Sequence, residues 1–216
     1  MKLDYKTFFL NKKGVIFDCD GVIINSKDAN IKFYNLILKE LGLPEMDKNQ
    51  EDYVHSHTVY ESIKYIVPEQ LLPEALEIGK KISYLAVIDL IKLEEGLIDF
   101  LIILKKMKKK CAINTNRTNT MPIILENFHL KPFFDLVVTA DTVKNPKPHP
   151  ESIFYILKKW NLDPREVVFI GDSRVDEKTA RSVPIEFISY KNDKLDSIAN
   201  IYNYKEVVES LKSKLF

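Results

Sequence analysis

The sequence predicts an α/β fold: a parallel sheet of about five strands with helices on both faces, and a long all-helical segment inserted after the first strand. Three observations predict it. Short apolar runs of strand length alternate with stretches whose apolar residues recur at helical spacing, the pattern of a parallel sheet covered by helices. Residues 25–92 are helical in pattern throughout, much longer than a connection needs. Polar residues collect just beyond the apolar runs rather than within them.

The first run is Gly14-Val15-Ile16-Phe17, followed by Asp18-Cys19-Asp20-Gly21-Val22. Side chains alternate faces along a strand, so Asp18 and Asp20 point one way and Cys19 the other. Two carboxylates aimed at one point repel unless a cation or a shared proton relieves them. Gly21 lets the backbone turn sharply and leaves a ligand room to approach.

After the first strand, Ser26 or Asp28 caps a helix carrying Phe33, Tyr34, Ile37, Leu38 and Leu41, which Gly42 and Pro44 stop. Val59, Ile63 and Ile66 form a second helix, closed by Pro68. A further helical stretch carries Leu76, Ile82, Leu85, Ile88 and Leu90. Residues 25–92 are therefore expected as an inserted helical domain, with 1–24 and 93–216 forming the core. From Gly96 the rhythm changes. Helices carrying Leu97–Met107, Ile123–Phe128, Ile153–Trp160 and Val207–Leu215 alternate with strands at 111–115, 136–139, 167–170 and 185–188.

Apolar residues make up 45% of the 216 and charged residues 29%, the balance of a soluble globular protein. A net charge of +1 argues against nucleic acid as a partner. The basic run Lys105 to Lys110 falls at a helix end, where cations are favoured. Cys19 and Cys111 lie in expected buried strands and read as core thiols of a reducing compartment. No apolar run reaches membrane-spanning length and no signal peptide opens the sequence, so a cytoplasmic protein with no membrane partner, monomeric or homodimeric, is expected.

Ligands of open parallel sheets sit outside the carboxyl ends of the strands. Four strand ends here each deliver polar groups. The first brings Asp18 and Asp20, and the second Thr115 and Asn116. The third leads into Asn145-Pro146-Lys147-Pro148-His149-Pro150, and the fourth brings Asp172, Ser173 and Asp176. Magnesium with a phosphoryl group accounts for this set. Mg²⁺ takes a few hard oxygen ligands and keeps water in the rest of its shell, and Asp18 and Asp172 can supply such ligands. A phosphoryl group needs donors around its oxygens. Lys147 supplies a charge, Thr115 a hydroxyl, and the turns at Gly21 and Asn116 backbone N–H groups. The prolines flanking Lys147 restrict its loop.

Four such motifs in order resemble the haloacid dehalogenase-like hydrolase superfamily, and specifically its phosphatases with a helical cap after the first strand. Asp18-Cys19-Asp20-Gly21-Val22 is similar to its first motif, Thr115 to the second, Lys147 in Lys-Pro-His-Pro to the third, and Gly171-Asp172-Ser173-Arg174-Val175-Asp176 to the fourth. Residues 137–151 are similar to phosphoglycolate-phosphatase-like members. The resemblance implies a Rossmann-like core with a cap domain, Mg²⁺ as cofactor, and a small phosphate ester as substrate, phosphoglycolate-like or a sugar phosphate. It implies that Asp18 attacks phosphorus and becomes an aspartyl-phosphate, and that Asp20 protonates the leaving alkoxide and then deprotonates water. Thr115 and Lys147 hold the phosphoryl oxygens. Asp18, Asp172 and the backbone carbonyl of Asp20 bind the metal, while Asp176 orients that shell or reaches it through water. Dehalogenases of the superfamily lack the acid at the position of Asp20, so phosphoester chemistry is expected.

The chain departs from the family pattern in places. Asn25 stands where many relatives have Asp. Asn30 stands where sugar phosphomutases have His, which argues against mutase activity. After Asp176, Ala180-Arg181-Ser182-Val183-Pro184 replaces the usual Ala-x-x-Ala-Gly. His55 and His57 either contact the leaving group from the cap or sit on the surface at a helix start. Arg117 either helps hold an anion or is solvated. Two rival readings remain. One is a non-catalytic phosphate-binding or regulatory protein on the same fold. The other is a phosphonate hydrolase, which requires a cap lysine such as Lys27, Lys32 or Lys39.

Overall fold

The computed structural model describes residues 3–54 and 57–212. Its strands are β1 (Gly14–Phe17), β2 (Ile24–Asn25), β3 (Lys92–Leu93), β4 (Lys110–Asn114), β5 (Leu136–Val138), β6 (Val167–Gly171), β7 (Glu186–Tyr190) and β8 (Ala199–Ile201). Its helices are α1 (Tyr5–Asn11), α2 (Lys27–Glu40), α3 (Lys48–Val54), α4 (Val59–Ile66), α5 (Leu72–Lys81), α6 (Leu97–Lys106), α7 (Met121–Asn127), α8 (Glu151–Trp160), α9 (Arg174–Arg181) and α10 (Tyr204–Lys212). Six strands form one sheet in the order β5-β4-β1-β6-β7-β8, and every pairing in it is parallel. The five expected strands are present and β8 is the sixth. β2 and β3 pair separately and antiparallel, where the chain leaves the sheet for the helical segment and returns.

Alternation along the strands builds two apolar layers. Val15 and Phe17 of β1, Cys111 and Ile113 of β4, and Val168 and Ile170 of β6 pack on one face. They meet Phe9 of α1, Phe100 of α6, Ile124 of α7 and Val207 of α10. Ile16, Ala112, Val167 and Phe169 face the other way, onto Ile153, Ile156 and Trp160 of α8 and Ala180 of α9. β1 is buried at every position because it carries helices on both faces and strands on both edges. Cys19 and Cys111 are both free and buried.

Between β2 and β3 the chain forms α2 to α5, which gather an apolar cluster of their own around Tyr34, Ile37, Leu38, Val54, Ile63 and Ala75. Thr58 starts α4 with a capping box. Its hydroxyl oxygen accepts from the Glu61 N–H, and the Glu61 carboxylate accepts from the Thr58 N–H. Among the described residues no helix is long and apolar enough to cross a membrane.

Candidate active site

β1 ends at Phe17, but the Asp18 N–H still donates to the Ile170 carbonyl at 2.9 Å, which fixes Asp18 against β6. The chain then folds tightly on itself. The Cys19 carbonyl accepts from the N–H groups of Ile23 (2.8 Å) and Ile24 (3.0 Å). The Tyr204 hydroxyl of α10 supports this turn through the Val22 carbonyl at 3.1 Å. Cys19 joins the core, while Asp18 and Asp20 line a cavity. Gly21 sits at φ +73°, and a Cβ there would lie 1.9 Å from Oδ2 of Asp172. The room Gly21 leaves is thus taken by a carboxylate, and its N–H donates to the Ile24 carbonyl at 2.7 Å.

β6 delivers Asp172, and Ser173 then caps α9. Oδ2 of Asp176 accepts from the Ser173 hydroxyl at 2.6 Å and from its N–H at 3.2 Å. The second oxygen of Asp176 faces Lys147. The Lys147 ammonium lies 2.6 Å from Oδ1 of Asp176 and 2.7 Å from Oδ1 of Asp18, buried between them. Asp18, Asp172 and Asp176 each offer an oxygen within 4.8 Å of the others.

These charges act on one another at close range. Burial raises the Asp18 carboxyl to about 7; repulsion from Asp176 adds to this, and Lys147 opposes it. Asp172 is raised for the same leading reason, burial, with repulsion from Asp18 next. Burial disfavours the Lys147 charge too, yet Asp176 and Asp18 together hold its ammonium above the ordinary lysine value.

β4 brings Thr115, buried, with its N–H on the Val138 carbonyl at 2.9 Å and its hydroxyl oxygen accepting from the Arg117 N–H at 3.1 Å. Asn116 donates its amide to the Lys147 carbonyl at 3.0 Å and so ties the second strand end to the third. Asp18, Asp20, Thr115, Asn116, Lys147 and Asp172 all line one cavity of about 650 Å³.

Arg117, left by the sequence as either an anion holder or solvated, holds the Asp20 carboxylate, and Ser26 joins it. Arg117 is buried, with Nε and Nη2 each 2.6 Å from an oxygen of Asp20. Nη2 also reaches Oδ1 of Asn30 at 3.3 Å, and the guanidinium lies 5.1 Å from the centre of the Tyr84 ring. Burial opposes the charge on Arg117, and Asp20 more than restores it. Ser26 does not cap α2 with its side chain; its hydroxyl donates to Oδ1 of Asp20. The one available signal was that Arg117 lies two residues past a strand end already bearing Thr115. His57 lines the cavity, its ring stacked on Tyr53 at 3.8 Å, whereas His55 lies outside the described residues. Asn25 accepts from the Lys27 N–H at 3.3 Å. Lys27 pairs with Asp52 at 3.5 Å, and Lys32 and Lys39 line a separate hollow.

A family model described as haloacid dehalogenase-like hydrolase matches residues 15–190. The chain belongs to this family. A subfamily IA hydrolase of the haloacid dehalogenase superfamily from Geobacter sulfurreducens is 32% identical, with a TM-score of 0.80 over 92% of this chain and 98% of that one. A pyrophosphatase of Bacillus pumilus is 27% identical over 163 residues, 75% of either chain. A phosphoglycolate phosphatase of Colwellia psychrerythraea is 26% identical over 197 residues, 82% of this chain and 83% of that one.

Proposed function

We propose that this haloacid dehalogenase-like phosphatase hydrolyses a phosphate monoester through an aspartyl-phosphate on Asp18, with Asp20 as general acid and base and Mg²⁺ as cofactor. Membership of the family and relatives named as phosphatases support the reaction class. The observation that carries the mechanism is Lys147 buried between Asp18 and Asp176, with the Asp172 carboxylate beside them at the foot of a cavity.

In the first step an Asp18 oxygen attacks phosphorus, the ester P–O bond breaks, and the leaving oxygen takes a proton from Asp20. In the second, Asp20 takes a proton from water, the water oxygen attacks phosphorus, and the Asp18–phosphorus bond breaks to free phosphate. Thr115 and Lys147 hold the phosphoryl oxygens, with Asn116 fixing the backbone that carries Lys147. Both Asp20 oxygens accept from Arg117, the arrangement of the base in the second step.

Three clustered carboxylates, of which Asp18 and Asp176 are buried and share one ammonium, fit a hard divalent cation. Asp18, Asp172 and the Asp20 carbonyl would hold it, and Asp176, bound to Ser173 and Lys147, would orient that set. When bound, Mg²⁺ supplies positive charge to the phosphoryl oxygens and to Asp18. Residues 25–92 act as a cap domain on the core of residues 1–24 and 93–216, excluding water and selecting the leaving group. The buried free thiols suit a reducing compartment such as the cytoplasm.

The test is phosphate release from a panel of monoesters with Mg²⁺ and with EDTA, for the wild type and Asp18→Asn. Turnover that needs both Mg²⁺ and Asp18 is expected. Turnover by Asp18→Asn at the wild-type rate would overturn the mechanism.

A further inference from the structure

The cavity is polar at its sheet end and holds a contiguous set of apolar side chains on the wall opposite. The sheet end carries the carboxylates, Thr115 and Lys147. The wall supplied by the helical segment carries Phe33, Tyr34, Val59, Ile63, Leu76 and Ile82. At about 650 Å³ the cavity is the size that holds a drug-sized molecule, several times what a phosphoryl group and a two-carbon acid fill.

The same wall carries polar groups as well: Asn30, His57, Tyr60, Lys80, Ser83 and the hydroxyls of Tyr34 and Tyr84. Asn30 already accepts from Arg117 and from the Tyr84 hydroxyl. The His57 ring lies flat on Tyr53, with Nδ1 2.8 Å from the Tyr53 carbonyl oxygen. Cations with no carboxylate partner are scarce. Among the described residues lining the cavity, Lys147 lies against Asp18 and Asp176, Arg117 against Asp20, and Lys80 is 2.6 Å from Glu77. Asp141 adds another negative charge to the same lining. A second carboxylate or phosphate on the substrate would meet cations that already have carboxylate partners, while the stretch formed by Phe33, Val59, Ile63, Leu76 and Ile82 offers a sugar hydroxyl no partner.

Resting on the phosphatase reading above, we infer that the substrate is the phosphate monoester of an alcohol whose leaving group carries an uncharged, apolar, ring-sized body. Its phosphoryl group lies at Asp18 and its ring enters the pocket of Phe33, Val59, Ile63 and Leu76. Burying the ring there removes apolar surface from water on both sides. It also sets the reach of the substrate, because the phosphoryl end is pinned by the strand ends.

The experiment compares kcat/KM, in Mg²⁺, for 2-phenylethyl phosphate, ethyl phosphate, phosphoglycolate, pyrophosphate and ribose 5-phosphate. The first two have alcohols of similar acidity, so their ratio reports the ring and not the chemistry. A single methylene in an apolar pocket is worth roughly 10-fold or more, so 2-phenylethyl phosphate is expected to exceed each of the others by at least ~10-fold. In Leu76→Asn the ratio of 2-phenylethyl to ethyl phosphate is expected to fall by about 10-fold, and that ratio does not depend on how much of the variant folds. Equal values for those two esters, or a preference for phosphoglycolate, pyrophosphate or ribose 5-phosphate, overturns the inference and leaves the phosphatase reading intact. No turnover of any of the five overturns both.

Discussion

The Arg117 guanidinium grips the Asp20 carboxylate with two hydrogen bonds of 2.6 Å, across 97 positions of sequence. Planar, two-pronged contact of this kind fixes the carboxylate in orientation as well as in place. Arg117 also touches Asn30 and Tyr84, so the clamp joins the strand-end loop of β4 to the helical segment. Arg117→Lys keeps a charge and loses the fork. With Asp20 in its proposed role, phosphate release is expected to fall by about 10-fold or more, because a displaced general base loses much of its typical 10²–10⁴-fold contribution. A circular dichroism spectrum like that of the wild type together with an unchanged kcat would refute a positioning role for Arg117.

Asp18 is raised to about 7 in the folded chain, from near 4 when unfolded. Between those values the folded chain holds a proton that the unfolded chain has released. This group's contribution therefore falls as pH rises from 4 to 7, by up to about 1.4 kcal/mol per pH unit. In EDTA, the melting temperature of the wild type minus that of Asp18→Asn is expected to drop between pH 5 and 7.5. Mg²⁺ is expected to flatten the difference, and one that grows with pH in EDTA would contradict the assignment.

Lys147→Met leaves Asp18 and Asp176 without their shared cation. Breaking a buried ion pair by removing one partner costs about 3–5 kcal/mol, which a denaturant midpoint in EDTA measures directly. Part of that loss is expected to return with Mg²⁺, since a divalent cation supplies charge to the same carboxylates. No stability change in EDTA would mean that water already compensates these acids.

At Gly21 an alanine meets two obstacles, a left-handed backbone at φ +73° and Oδ2 of Asp172 at 1.9 Å. Strain there costs about 1–2 kcal/mol, and the Asp172 carboxylate must move. A shift of about an ångström in a catalytic group lowers rates by as much as ~10²-fold, so Gly21→Ala is expected to lose activity well beyond its loss of stability. Wild-type turnover in this variant would show that the contact is not tight.

The strand ends were readable because Asp18, Thr115 and Asp172 each follow an apolar run that has no other reason to end in those groups. β8 was not, since Ala199, Asn200 and Ile201 are too few and too mixed to show a period. Ser26 read as a helix cap because capping is a local habit of serine, whereas its actual partner, Asp20, is chosen by the turn at Gly21. The Arg117 clamp escaped for a related reason. Nothing in a loop's own sequence states which distant carboxylate its side chain meets.

β1 lies in the middle of the sheet, between β4 and β6, and that has a bearing on synthesis. Asp18 leaves the ribosome 129 positions ahead of Lys147, and Asp172 and Asp176 follow later still. Over that interval the nascent chain carries Asp18 without the ammonium of Lys147 or the carboxylates of Asp172 and Asp176. The set is complete only where β6, which delivers Asp172 and leads into Asp176, lies beside β1. A chain cut short before that strand keeps Asp18, Asp20, Thr115 and Lys147 but lacks Asp172 and Asp176, two of the three clustered carboxylates.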